Sequence, residues 1–163
     1  MPMLIIAALA ALAQAQPGAA PLTPDGLGAV RIGMTRAQVT RIVGPLEGEE
    51  LTPGCIEMEP ARGWTHTWFM FEEGRLTRIS IGESNRARTP SGIGIGATEA
   101  QVRRAYGRGL RSEPHTYQEA PARYFTFWTR PGARGVRFET DASRRVRTIH
   151  AGGPSIEYVE GCL

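Results

Sequence analysis

The sequence predicts an α+β fold, with two tandem helix-plus-antiparallel-meander repeats forming one continuous curved sheet and short helices on one face. Three observations predict it. A phrase running from Arg31 to Gly44 recurs from Gly94 to Gly107. After each copy the apolar spacing changes from every third or fourth residue to every second. Clusters of Gly, Pro, Asp and Ser then divide each alternating stretch into strands of ordinary length.

The two phrases match at Ile32/Ile95, Gly33/Gly96, Thr35/Thr98, Ala37/Ala100, Gln38/Gln101, Val39/Val102, Arg41/Arg104 and Gly44/Gly107. Unrelated amphipathic segments do not agree so closely, so an internal repeat takes precedence over other readings. The chain of 163 residues is long enough for one ordinary domain or two small units sharing a core.

The chain opens with an unbroken apolar run, Leu4 to Leu12, followed by Ala13-Gln14-Ala15. A hydrophobic segment ending in a small-x-small signature predicts a secretory signal peptide over residues 1–15. The run falls short of the ~20 apolar residues that a spanning helix needs. Residues 16–25, rich in Gln, Pro, Gly and Ala, read as a flexible linker. No Cys follows the cleavage signature, so no lipid anchor is expected.

Repeat 1 is expected over residues 26–82. Gly26 to Gly33 leads in as an extended segment. Thr35 is a good N-cap, Gln38 completes a capping box, and Val39, Ile42 and Val43 form one apolar face before Gly44-Pro45. Cys55–Glu59 is a leading strand. Trp64–Phe71 alternates, with Phe69 and Phe71 on one side and Trp64, His66, Trp68 and Met70 on the other. Glu72-Glu73-Gly74 turns the chain into Arg75–Ile81.

Residues 83–91 are the linker between repeats, and repeat 2 occupies 92–163. Thr98, Gln101, Val102, Ala105, Tyr106 and Gly107 restate the helix design. The strands follow at Glu113–Gln118, Tyr124–Arg130, Val136–Thr140 and Arg145–Ala151. Helices of two to three turns do not persist alone, so both must dock on the sheet. Phe69, Phe71, Phe125, Phe127, Val136 and Phe138 are the expected packing surface beneath them.

The two cysteines of an exported chain are most simply paired, as Cys55–Cys162. The signal and the bridge together place the protein in the periplasm or outside the cell.

All 19 basic residues are Arg. Residues 16–88 carry a net charge of −1 and residues 89–163 a net charge of +4. The Arg are scattered over strands, turns and helices, so nucleic-acid binding, which needs a basic stripe or a recognisable module, is not expected. No membrane span is expected either.

Catalytic and metal chemistry find little support. His66, His115 and His150 lack paired-ligand spacing, and no metal or other cofactor is expected. Gly92-Ile-Gly-Ile-Gly96 lacks the spacing, the Lys and the preceding parallel strand of a phosphate-binding loop. The protein therefore reads as a non-enzyme.

The phrase Ile32-Gly33-Met34-Thr35 followed by Val39, Val43, Gly44 and Pro45, ahead of a β meander, resembles the SmpA/OmlA outer-membrane assembly lipoprotein family. Its duplication is similar to the architecture of the secreted β-lactamase inhibitory proteins. That resemblance implies a saddle whose concave sheet face grips a partner. The expected binding surface is then Trp64, His66, Trp68, Met70, Tyr124 and Trp128, on the sheet face away from the helices. The expected function is a non-catalytic module binding another envelope or secreted protein, in the manner of an inhibitor. The competing expectation is binding of a small ligand or envelope glycan, in a closed pocket with convergent polar groups such as His66, Arg137 or His150.

Overall fold

The computed structural model describes residues 20–50 and 52–163. The signal peptide and residues 16–19 of the linker lie outside those residues; residues 20–25, expected to be a flexible linker, instead carry a strand, because Leu22 is buried in the core and its N–H donates to the Arg88 carbonyl. The protein is mixed α+β, with few helices and almost wholly antiparallel strand pairing.

Gly26 to Gly33, expected to be one extended lead-in, belongs instead to a small three-stranded sheet of β1 (Leu22–Thr23), β2 (Gly26–Leu27) and β3 (Val30–Arg31). Two turns in so short a stretch leave two residues per strand. Helix α1 (Arg36–Val43) follows, then β4 (Leu46–Glu47), β5 (Cys55–Pro60), β6 (Thr67–Glu72) and β7 (Arg75–Ile81). Helix α2 (Glu99–Tyr106) and a 3-10 turn (Gly107–Gly109) lead to β8 (Leu110–Pro114), β9 (Arg123–Arg130), β10 (Arg134–Thr140) and β11 (Val146–Gly152). A 3-10 turn at Pro154–Glu157 begins the C-terminal segment. The strand expected at Glu113–Gln118 lies earlier, because Pro114 ends the ladder and the chain turns away.

Strands β4 to β11 form one eight-stranded sheet in the order β4-β5-β6-β7-β11-β10-β9-β8. Each meander is laid down outside-in, so the last strand of one abuts the last strand of the other.

The two halves repeat each other bond for bond at their helix entries. Gly33 N–H donates to the Leu76 carbonyl and Leu76 N–H to the Met34 carbonyl; Gly96 and Ala97 exchange the same bonds with Val146. Thr35 and Thr98 each complete a reciprocal capping box, with Gln38 and Gln101. These caps satisfy donors that a two-turn helix would leave orphaned. Bulges fall at Met70/Phe71 and at Glu139/Thr140, each opposite the start of the following strand.

Val39, Val43 and Val102 pack into one core with Met58, Phe69, Phe71, Ile79, Ile81, Phe125, Val136, Phe138 and Ile149. Tyr106 tilts against Phe127 and Phe138 at ring centroid distances of 5.0 and 5.1 Å. This apolar face supplies most of the folding energy, at about 25 cal/mol per Å2 removed from water. It leaves the opposite face to carry whatever else the sheet does.

The outer edge of β8 offers little to pair with. Its register puts Arg111 and Glu113 in the bonded ladder with β9, and just beyond it the His115 N–H donates to the Ala122 carbonyl. Of the outward-facing residues, Leu110 spends its N–H on the Gly107 carbonyl and Pro114 has none. Only Ser112 presents a free donor, and the opposite edge, β4, is two residues long.

Candidate binding face

The face away from the helices is crossed by two segments, which together decide what remains accessible. Over the first half runs the C-terminal segment. Ile156 is 0% exposed, and the Arg78 guanidinium beneath it donates to the Ser155 and Tyr158 carbonyls, each at 3.1 Å. Its other nitrogen donates to Glu57 at 3.1 Å, so a buried cation is neutralised and hydrogen-bonded at once. Gly161 lies directly over this pair. A Cβ there would stand 2.8 Å from Glu57 Oε2 and 3.8 Å from Met70 Cε. The segment is pinned by the Cys55–Cys162 disulfide, the pairing the sequence indicated.

Over the second half lies the loop of residues 115–122. Tyr124 is sandwiched between the His115 ring, stacked at 4.4 Å, and the Arg137 guanidinium at 4.0 Å. The two segments meet where the Tyr117 hydroxyl donates to Glu160.

Between them, at the seam of the sheet, runs a polar chain. Ser80 and His150 are cross-strand partners, and their side chains bond at 2.7 Å between Oγ and Nδ1. His150 Nε2 reaches Glu139 Oε1 at 3.0 Å, and His115 Nε2 stands 3.8 Å from Glu139 Oε2. Burial opposes the charge on Glu139. The hydrogen bond from His150 and the nearby positive charges outweigh it, holding the carboxyl below its ordinary range. Burial likewise dominates at His150 and lowers its pKa despite the Glu139 hydrogen bond, so the ring is neutral at pH 7. An ionised Glu139 only accepts, so Nε2 carries the proton; Nδ1 then accepts, and Ser80 must donate.

That order has the connectivity of a nucleophile–base–acid relay. Ser80 is 2% exposed in the middle of β7, however, and no acyl group reaches it. Among the described residues, no group of three or more His, Cys, Asp or Glu is arranged to hold a metal ion.

The six residues expected to bind a partner are dispersed by this arrangement. Trp68 and Trp128 do lie on the face away from the helices, half-buried. Each rests on a glycine of the neighbouring strand: Trp68 against Gly82 and Trp128 against Gly135, where a Cβ would approach the indole to 3.0 and 2.8 Å.

Trp64 is a correction. Strand β6 begins only at Thr67, and Trp64 precedes it in a loop, its ring edge-on to Phe69 at 6.0 Å and packed on the helix-side core. His66, expected on the same strand, is an exposed turn residue at φ +45°, a left-handed conformation that breaks the alternation. Met70 and Tyr124 are on the expected face but 0% and 3% exposed, covered by the C-terminal segment and by the 115–122 loop.

The residues missed were Ser80, His115 and Glu139, which join Arg137 and His150 in one network. The signal available was the repeat itself, since Ser80 and His150 hold the same place in the two copies.

The open clefts lie at the rims. One of about 370 Å3 is bounded by Trp64, Thr65, Thr67, Ser84, Asn85 and Arg86. Another of about 450 Å3 adjoins the disulfide.

These features define an α+β protein with a disulfide-tied sheet. The bond is compatible with an extracellular or periplasmic location. Among the described residues, no helix is long and apolar enough to cross a membrane. No protein-family model matches the sequence, and no curated protein matches it either. Among solved structures, the chain is similar to a cysteine-rich secretory protein from Staphylococcus aureus at 10% identity and a TM-score of 0.47, covering 73% of this chain. It spans 43% of that protein's length.

Proposed function

We propose that this is an exported, non-catalytic protein-interaction module. It consists of two tandem helix-plus-meander units joined in one curved sheet, in the manner of the SmpA/OmlA-type and β-lactamase inhibitory architectures. Its partner is another envelope or secreted protein, and the contact is made on the face away from the helices.

The observation that carries this reading is where the accessible aromatics collect. Trp68 and Trp128 keep part of their indoles in solvent on that face, and Tyr117 and Tyr158 stand exposed on the segments that cross it. Half-exposed Trp and Tyr on rigid strands and tied-down segments are the usual anchors of protein interfaces, since little side-chain freedom is lost on docking. The buried Ser80–His150–Glu139 chain serves to hold the seam rigid beneath them.

The test is affinity capture from envelope and secreted fractions of the source organism. Oxidised wild-type chain serves as bait, and a Trp68→Ala/Trp128→Ala variant as control. One protein retained by wild type and lost by the variant, with the variant's thermal unfolding unchanged, is expected. Equal retention by both baits refutes the role of these Trp.

The second reading, a small ligand or glycan, has its own observation: the 370 Å3 cleft at Trp64, with hydroxyls from Thr65 and Ser84 and the Arg86 cation at its wall. Saturable Trp fluorescence changes with soluble glycans, lost in Trp64→Ala, would favour it over the first.

A further inference from the structure

Exposed apolar surface is concentrated on the segment that the disulfide pins. Among the described residues, the exposed large hydrophobics are Tyr158 (44%), Val159 (40%), Leu163 (78%), Tyr117 (63%) and Ile42 (39%). The first three lie within residues 158–163, and Tyr117 touches that segment at Glu160.

There is a physical reason for their exposure. Ser155 and Ile156 already fill the inward positions and Gly161 fits against Arg78, while the bond at Cys162 fixes the backbone close to β5. The side chains on either side of these anchors must point away from the sheet. Tyr158, Val159 and Leu163, with Thr52, Glu72 and the Cys55–Cys162 bridge, line the cleft of about 450 Å3. A pinned backbone presenting apolar side chains around a cleft is preorganised for docking, because the ordering entropy is already spent in folding.

The cleft's charge sets the chemistry of its occupant. Glu72 forms one wall beside Tyr158, and its carboxylate raises the Tyr158 hydroxyl above its ordinary pKa. The Glu50 carboxylate accepts from the Gly54 N–H, and the Glu73 carboxylate stands against Gly54. Glu160 stands on the segment itself. Of the nearby cations, Arg78 is buried and committed to Glu57 and two carbonyls, and Arg75, the register partner of Glu72, turns its guanidinium to the Gly33 carbonyl at 3.4 Å. The rim is therefore negative and the floor apolar.

We propose that this cleft docks a basic segment of a partner polypeptide, one carrying an apolar side chain flanked by Arg or Lys. The apolar side chain seats among Tyr158, Val159 and Leu163, and the cations lie along Glu72, Glu73 and Glu160. The proposal rests on the interaction-module reading and names the partner's chemistry for it.

The oxidised chain is titrated with a synthetic ten-residue peptide bearing Leu between Arg and Lys, observed by amide and methyl NMR. Two control peptides replace every cation by Glu, or the Leu by Ala. The expected result is saturable binding of the basic peptide only, with shifts centred on residues 158–163. Affinity should fall about tenfold between 0.05 and 0.5 M salt, as the Debye length contracts, and about tenfold again in Leu163→Asp. Leu163 is 78% exposed, so that variant folds as wild type.

Binding of the Glu peptide as tightly, shifts elsewhere, an unaffected Leu163→Asp, or chain self-association in place of peptide binding each overturn the proposal. The partner capture separates its failure from failure of the module reading. A partner held by wild type and equally by Leu163→Asp, but lost with Trp68 and Trp128, removes the cleft and leaves the module. Wild type holding no partner removes the module.

Discussion

Replacing Cys55 and Cys162 together by Ala tests how the face stays covered. The bridge spans 107 residues of sequence. In the chain-entropy relation, freeing a loop of that length costs about 4–5 kcal/mol, a large share of the ~5–15 kcal/mol that holds a domain of this size. The native structure says where the cost falls. Ile156 and Ser155 are buried, and Arg78 bonds the Ser155 and Tyr158 carbonyls, by contacts that do not involve the bridge and should outlast it. Residues 159–163 alone should come free, so few native contacts are lost and the effect sits in the expanded unfolded chain. Equilibrium urea unfolding of both proteins should show a lower midpoint and a steeper slope in the double variant, with the stability difference near 4 kcal/mol. Amide exchange should quicken only beyond Tyr158. A loss below about 1 kcal/mol, or protection lost back through Ile156 into β7, refutes the reasoning.

Three further outcomes are expected. His150 binds a proton less readily folded than unfolded, so stability should be full above pH 6.5 and decline as pH falls through its lowered pKa; Glu139, also lowered, should keep its contribution until pH drops below 4.5. Urea midpoints between pH 4 and 8 check this, and His150→Gln should flatten the upper limb. Val39→Ala and Val102→Ala, equivalent positions at 0% exposure, should each cost about 2 kcal/mol by the same assay; a near-zero cost at one would break the equivalence of the halves. Trp64→Ala should unfold at lower temperature, because its ring packs on Phe69, whereas Trp68→Ala should not; differential scanning calorimetry separates them.

The helices were legible because their determinants are local. A Thr cap, a Gln three residues on, a Val four residues on with an apolar residue one turn later (Val43 or Tyr106) and a closing Gly are all written within a dozen residues, twice. The return strand Arg75–Ile81 was legible for the same reason, bounded by Glu73-Gly74 and an alternating run. The candidate face was less so. Alternation placed Trp64 beside Trp68, but the left-handed His66 resets the phase and sends Trp64 to the other side. Nothing periodic marks the 115–122 loop or the C-terminal segment, so what covers Met70 and Tyr124 is a matter of tertiary contact alone. The polar chain is assembled from β7, β10 and β11 by register, which no local pattern records.

The seam between the halves has a consequence for how such a chain can diverge. Leu76 and Val146 hold matching places at the helix entries; four residues on from each stand Ser80 and His150, and these two face each other across the seam. Opposed in this way, they tie the two meanders through side chains as well as through the backbone. Ser80 donates and the Glu139-bonded His150 accepts, so a change at either position is felt by the strand across the seam, and the two can change freely only together.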